Sequence, residues 1–222
     1  AYEIPLRLVG SEMCIRDSNS AAEITGGDVT IDTSNGTGGS VAFNSTINST
    51  TTNQALTINS GGGAVSVTGV IGGNASDHLD GLSINASSGA GTIALAAIGA
   101  NAESGVDGGN VAIGNNDTTL ITLSGADYNV NGTILVKATS AAGGNSSENI
   151  KFTAGALVEV KTADDNITFS NGVIHLADAT DLTVKSEGGA IDIHSIMSVA
   201  DKDTAVIPVS YTHLTLPTSD LV

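Results

Sequence analysis

One histidine stands among carboxylates in a way that could bind a metal. His78 lies in the long corner segment 72–81 with Asp77 and Asp80 close to it. Imidazole nitrogen and carboxylate oxygen form a ligand set that transition metals accept. No second ligand cluster accompanies this one in the sequence. We therefore interpret the segment as a polar corner and predict no metal site and no cofactor.

Acidic corners raise the question of calcium. Calcium takes carboxylate and carbonyl oxygens, and Asp107 and the adjacent Asp164 and Asp165 lie in polar segments of this kind. The repeated Gly-Gly-x-Gly-x-Asp array of calcium-binding β-rolls is approached only once, over 105–110. A calcium roll is therefore not predicted. Whether a single ion binds at a corner such as Asp107 or Asp164 stays open.

Catalytic groupings are also sparse. Hydrolysis of sugars needs two carboxyl groups facing one substrate, yet Glu159 and Asp192 are expected on different faces of the fold. His175 is expected at the outward centre of a strand, stacked on Lys151, which lies 24 residues earlier, with both side chains solvated. His194 follows a strand end. No nucleophile elbow or phosphate-binding loop is visible, and we predict no catalytic residue and no enzyme.

The elements that carry these residues are short strands at regular spacing. Six triplets between residues 150 and 193 read apolar, polar, apolar, which is typical of a strand with one buried face. Any three successive steps between triplets sum to 24 residues, which predicts three strands per turn, with each strand stacked on the third one after it. The triplets begin at Ile150, Val158, Ile167, Ile174, Leu182 and Ile191.

The same three-strand turn continues toward the start of the chain. Triplets at Val29, Leu56, Leu82 and Val111 are predicted to stack on one another, each followed by a second strand at Val41, Val65, Ile93 and Ile121. Short third strands follow near Ile47, Val70-Ile71, Ile98 and Tyr128–Val130. Ile134 is predicted to stack 24 residues later on Val158. The predicted fold is all-β, a three-sided β-solenoid (right-handed parallel β-helix) of about seven coils of 24–29 residues.

Outward residues on the first face could form an ice-binding rank if they were all threonine. The predicted column reads Thr30, Thr57, Ser83, Ala112, Leu135, Glu159 and Thr183. Because the column of threonine and serine is interrupted halfway along by Ala112, Leu135 and Glu159, the sequence argues against ice binding. The three phenylalanines are expected to point inward, which leaves Tyr128 alone for stacking on sugars.

The two ends of the chain have a different origin. Val209–Thr218 back-translates, in frame, to a transposase end followed by a sequencing-primer site, and Leu8–Ser18 back-translates to the opposite adapter. We therefore expect residues 1–18 and 208–222 to be adapter-derived tails that are not native and do not pack stably. Residues 19–207 are expected to be a β-solenoid fragment of a longer reading frame.

The composition of the 19–207 segment argues against nucleic acid as a partner and against a membrane span. It holds five lysines, no arginine and nineteen of the 23 acidic residues, a net charge of −14, so no basic surface is available for nucleic acid. No apolar run approaches membrane-spanning length. No cap is obvious at either end, and the exposed strand edges of an uncapped solenoid predict end-to-end self-association.

The repeats resemble those of large bacterial exoproteins. The segments that carry this likeness are Gly-Gly-Asp-Val-Thr-Ile-Asp at 26–32, residues 54–67, and Asp-Leu-Thr-Val-Lys-Ser-Glu-Gly-Gly-Ala-Ile-Asp-Ile at 181–193. They are similar to the β-helical repeats of filamentous-haemagglutinin-like adhesins and autotransporter passengers. The resemblance covers most of 24–198, although its motif is diffuse.

The resemblance implies export and an extracellular or cell-surface, outer membrane-associated location. It also implies a structural or adhesive role, with host or surface glycans or proteins as partners of the solenoid faces. It transfers no catalytic residue. The alternative is a fragment of a β-helical carbohydrate-active enzyme, a polysaccharide lyase or hydrolase, whose catalytic coils lie outside this sequence.

Overall fold

The chain folds as an all-β solenoid of short parallel strands. The structure is a computed structural model, and it describes residues 16–49, 54–73, 78–100, 104–139, 148–198, 206–210 and 214–215. Every strand pair in these residues is parallel, and none of them is helical. Three strands make one turn, and equivalent strands of successive turns pair to form three faces. The predicted solenoid is confirmed.

Face 1 is an eight-stranded sheet in which each strand pairs with its equivalent one turn away. Seven of its strands lie between residues 19 and 207 and enclose six complete turns, in line with the prediction of about seven coils. The strands are β3 (Val29–Asp32), β6 (Ala55–Asn59), β8 (Gly81–Ile84), β10 (Val111–Ile113), β13 (Ile134–Lys137), β16 (Ile167–Ser170), β19 (Ile191–Ile193) and β22 (Leu214–Thr215).

Faces 2 and 3 together form a fourteen-stranded sheet, because two longer strands run across the corner between them. Those two strands are β7 (Val65–Ile71) and β9 (Thr92–Ile98). Face 2 otherwise contains β1 (Arg16–Ser18), β4 (Val41–Phe43), β11 (Leu120–Leu123), β14 (Glu148–Phe152), β17 (Val173–Leu176) and β20 (Ile196–Ser198). Face 3 contains β2 (Ala22–Ile24), β5 (Ile47–Ser49), β12 (Asp127–Val130), β15 (Leu157–Thr162), β18 (Asp181–Ser186) and β21 (Val206–Ser210).

The predicted register holds over most of the rod. Ile150 pairs with Ile174, Val158 with Leu182 and Ile167 with Ile191, which are the 24-residue steps expected from the sequence. The predicted stacking of the first, second and third strands before residue 131 is confirmed as well.

The register prediction is wrong at one turn. Ile134 pairs with Ile167, 33 residues later, instead of with Val158. Val158 lies in β15 on face 3, whose register partners in β12 include Tyr128, paired with Val160. The reason is a long corner between β13 and β14, of which 140–147 lie outside the described residues. A corner can lengthen without disturbing the strands that it joins, so one spacing does not carry over to every turn.

The core is one continuous column of inward-facing aliphatic side chains. Strands alternate buried residues with partly exposed ones, as a half-buried strand should, and the buried positions of successive turns lie on one another. Tyr128, Phe152 and Phe169 form an edge-to-face stack inside this column, with ring centroids 6.2 and 6.1 Å apart. The predicted inward orientation of the phenylalanines is confirmed.

Polar side chains form hydrogen bonds between the corners of successive turns. Where face 1 ends, Asn85 Nδ2 donates to Ser60 Oγ at 2.8 Å, and the backbone N–H of Ser60 donates to Asn85 Oδ1 at 2.7 Å. Asn115 continues the column by donating to the carbonyl oxygens of Asn85 and Gly89. Close approach of the turns also requires glycine, since a Cβ on Gly109 would collide with the carbonyl oxygen of Asp80.

Three strands include residues of the expected tails. β1 pairs with β4, β21 pairs with β18, and β22 pairs with β19. The expectation that the tails do not pack is therefore wrong for these backbone segments. Residues 8–15 lie outside the described residues. Strand pairing uses backbone groups that every residue except proline carries, so an open sheet edge accepts a segment whatever its origin.

Candidate functional site

A buried histidine at one corner contacts a carboxylate on the next turn. His78 Nε2 lies 3.5 Å from Asp107 Oδ2, and Asn131 Nδ2 donates to the other oxygen of the same carboxylate. Isolated bridges between Leu79, Val106 and Val130 hold the three turns together at this corner. The structure thus brings together His78 and Asp107, which were predicted as parts of two separate polar corners. The signal was available in the 29-residue step from His78 to Asp107, which matches the step between β8 and β10.

The chemistry of this corner is that of an inter-turn contact. The exposed fraction of His78 is 9 %, so its 3.5 Å contact with the carboxylate of Asp107 is largely shielded from solvent. Asp77, one of its expected neighbours, lies outside the described residues. Within the described ranges, no three histidine, cysteine or acidic side chains come close enough to hold a metal ion. At this site, two turns are joined by a polar contact.

His175 occupies the predicted position but not the predicted environment. It is paired in register with Lys151, as expected. Its exposed fraction is only 5 %, so the expectation of a solvated side chain is wrong. Ile174 and His175 point to opposite sides of face 2 and are both buried, which means that the outer side of the sheet is covered at this turn. The alternation of apolar and polar residues predicts one buried side of the strand, so it could not predict that the outer side is covered as well. His194 is exposed and donates its backbone N–H to the carbonyl of Phe169.

Face 3 carries a charged cluster that the sequence analysis did not single out. Lys161 and Lys185 are paired in register, and their ammonium groups lie 3.8 and 3.3 Å from Glu187 Oε1. The 24-residue step from Lys161 to Lys185 was the signal that could have revealed it. Both lysine side chains are about one-third exposed, and such ion pairs contribute little to stability. The cluster presents two cations and one carboxylate to solvent.

The two carboxylates considered for acid–base chemistry are separated. Glu159 lies on face 3 and Asp192 on face 1, so their predicted placement on different faces is confirmed. At the other acidic corner, the backbone carbonyl of Asp165 accepts the hydroxyls of Thr162 and Ser186 at 2.5 and 3.0 Å. Both Asp164 and Asp165 are exposed.

Tyr128 is buried with the phenylalanines instead of standing on the surface. Its hydroxyl donates to the carbonyl of Ala96 at 2.8 Å and accepts the backbone N–H of Gly125 at 3.0 Å. Burial raises the pKa of the Tyr128 phenol well above its usual value. All four aromatic rings of the described residues with assigned burial therefore lie in the core, and none is displayed for stacking on sugars.

The outward column of face 1 differs from the predicted one after Leu135, because the register changes there. The residues of the column are Thr30, Thr57, Ser83, Ala112, Leu135, Thr168 and Asp192. Glu159 and Thr183 belong to face 3. The threonine rank remains broken, now by Ala112, the 37 % exposed Leu135 and Asp192. This face therefore lacks an unbroken threonine rank.

No family model, no curated protein and no solved structure matches this chain. The part of the chain that the structure describes contains no apolar helix of membrane-spanning length.

Proposed function

We propose that residues 19–207 are a segment of a large exported bacterial surface protein that acts as a stalk or adhesive scaffold. The observation that carries the proposal is the in-register stacking of strands on three faces over six complete turns. Such an array is extended, is stabilised by contacts between neighbouring turns and presents long surfaces. The location is extracellular or at the cell surface, and the likeness of 26–32, 54–67 and 181–193 to filamentous-haemagglutinin-like and autotransporter repeats supports it.

A stalk has to resist extension, which can be measured directly. Pulling the chain from its two ends in a single-molecule force experiment should unfold it in discrete steps of whole turns. A turn of 24 residues, such as Ile150 to Ile174, should release about 80 Å, since an extended chain spans roughly 3.3–3.6 Å per residue. Extension without force peaks would contradict the stalk role.

An adhesive role requires a ligand on the solenoid faces. The immobilised chain should bind glycans or host surface proteins on an array, and heat-unfolded chain is the control for dependence on the fold. The double variant Lys161→Glu, Lys185→Glu tests whether face 3 contributes by binding anionic ligands. Absence of binding by the folded chain would leave only the structural role. Release of reducing or unsaturated sugar ends from polysaccharides would favour the carbohydrate-active alternative.

End-to-end association is proposed for the fragment 19–207. Val29 and Ile31 of β3 are only partly buried, whereas Ile58, one turn on, is fully buried. Apolar ends of this kind favour stacking on a second copy. Sedimentation velocity should show species larger than a monomer that grow with concentration. Ile31→Lys should reduce them, because it places a charge in the stacking surface, whereas the outward control Thr30→Lys should not.

The origin of 1–18 and 208–222 is tested by an independent long sequencing read across the source DNA. We expect the reading frame to continue on both sides of 19–207 into more coils and an export signal. Genomic sequence encoding both tails would contradict their adapter origin.

A further inference from the structure

Asparagine followed by glycine is the sequence most prone to spontaneous deamidation, because glycine leaves its backbone nitrogen open to attack the asparagine side chain. The chain has three such dipeptides, at Asn35, Asn131 and Asn171. They share one local sequence feature, so any difference in their reactivity must come from the fold. Their surroundings differ sharply.

Asn35 stands at the exposed tip of the corner loop between β3 and β4. Gly36 has a φ of 70°, and a Cβ placed there would meet no atom within 4 Å. The turn itself is closed only by a long bond of 3.4 Å from the Gly38 N–H to the Asn35 carbonyl. Within the described residues no hydrogen bond holds the Asn35 side-chain amide. The Asn35 side chain can therefore turn toward the Gly36 nitrogen without breaking a hydrogen bond.

Hydrogen bonds fix the base of this loop, and its backbone on either side of Asn35 packs on the next turn, since a Cβ on Gly62 would meet the carbonyl oxygen of Thr37. Asn35 and Gly36 themselves are exposed. Thr33 Oγ1 donates to the carbonyl of Gly39 at 2.5 Å, and the Gly39 N–H donates to the carbonyl of Thr33 at 2.8 Å. A change at Asn35 is therefore contained between these two residues and need not unfold the adjoining strands.

The other two asparagines are held in place. Asn131 Nδ2 donates to Asp107, and a Cβ on Gly132 would collide with the carbonyl oxygen of Gly109. Asn171 Nδ2 donates to Asn116 Oδ1 at 2.6 Å. The glycine that follows Asn171 is also enclosed, since a Cβ on Gly172 would lie 2.9 Å from Ile150 and 3.0 Å from Ala138. In both cases the amide must break a hydrogen bond, and packed backbone must move, before the ring can close.

We propose that Asn35 is a site of spontaneous deamidation in the folded protein, selected from three equivalent dipeptides because its exposed side-chain amide is held by no hydrogen bond within the described residues. The backbone nitrogen of Gly36 attacks Cγ of Asn35 and loses its proton. The Cγ–Nδ2 bond breaks and ammonia leaves, which closes a succinimide. Water then opens either carbonyl of the ring and gives aspartate or isoaspartate. Each event adds one negative charge to a chain whose net charge is −16.

The test incubates the folded full-length chain at mildly alkaline pH in water enriched in the heavy oxygen isotope. Peptide mass spectrometry then measures the deamidated fraction at each of the three sites. Native protein should deamidate at Asn35 about five- to tenfold faster than at Asn131 or Asn171, the factor expected for releasing one hydrogen bond. In denaturant the three rates should become similar, because the sequence alone then governs them.

Matched variants show at which asparagine the acidic species arises. Asn35→Gln should abolish the acidic species seen on isoelectric focusing, because closing a six-membered ring is much slower. Asn171→Gln should leave that species unchanged. Equal rates at the three sites in the native protein, or an Asn35 that reacts no faster than the held pair, would overturn the proposal.

Discussion

Phe152 is the side chain whose removal should most clearly test how this rod is stabilised. It is fully buried, and it lies between the rings of Tyr128 and Phe169 at centroid distances of 6.2 and 6.1 Å. Phe152→Ala should lower the free energy of unfolding by about 3–5 kcal/mol, the usual cost of deleting a buried ring. Since whole domains are stable by roughly 5–15 kcal/mol, this is a large loss.

A matched variant divides that loss into volume and ring contacts. Phe152→Leu keeps most of the buried volume but removes both edge-to-face pairs, each worth roughly 0.5–1.5 kcal/mol. We expect it to cost about 1–2 kcal/mol, well below the alanine variant. A double-mutant cycle with Phe169→Leu should give a coupling energy of at least about 0.5 kcal/mol, because the two rings are in direct contact.

The assay is a urea titration of the full chain followed by far-ultraviolet circular dichroism. Because a solenoid is stabilised by neighbouring turns, Phe152→Ala should also split the transition, as turns on either side lose their coupling. A loss below about 1 kcal/mol for Phe152→Ala would refute continuous packing of the core at this turn. Equal losses for alanine and leucine would show that the ring contacts, rather than the filled volume, govern stability.

Three further changes should have smaller effects. Burial raises the pKa of Tyr128, so the phenol of the unfolded chain loses its proton first as pH rises. The free energy of unfolding should therefore fall above about pH 10, by roughly 1.4 kcal/mol per pH unit. Thermal melts across the alkaline range should show that Tyr128→Phe lacks this dependence. Ala179 has a φ of 56°, so Ala179→Gly should raise the free energy of unfolding by up to about 1 kcal/mol and shift the urea midpoint upward. A lower midpoint would contradict the strain. Asn166 Oδ1 accepts the N–H of Ala190 at 2.8 Å, so Asn166→Ala should cost about 1 kcal/mol in the same titration, whereas the control Asn166→Asp keeps the acceptor.

The fold could be predicted because it depends on a repeating local pattern. An apolar, polar, apolar triplet identifies a strand with one buried face, and equal spacing places Ile150 on Ile174 without further information. The inward phenylalanines and the separation of Glu159 from Asp192 follow from the same alternation. Each of these predictions needed only the positions of apolar residues within neighbouring turns.

The candidate site was less predictable because it depends on what lies outside that pattern. His78 contacts Asp107 at a corner bridge, which lies outside the apolar, polar, apolar triplets of the strands. His175 is buried on the outward side of its strand, and alternation assigns that side to solvent. The 29-residue spacing could have indicated the first contact, whereas the burial of His175 depends on the paths of covering segments, which carry no periodic signal.

The error at Val158 explains how such a rod tolerates variation. Ile134 skips the triplet 24 residues later and stacks on Ile167, yet the strands before and after keep their partners and their buried positions. Hydrogen bonds between strands require the backbones of successive turns to align, whereas the entropy cost of closing a longer corner grows only slowly with its length. The number of residues per turn therefore varies, and the differences in length are accommodated in the corners. A corner can therefore gain or lose residues while the faces stay in register.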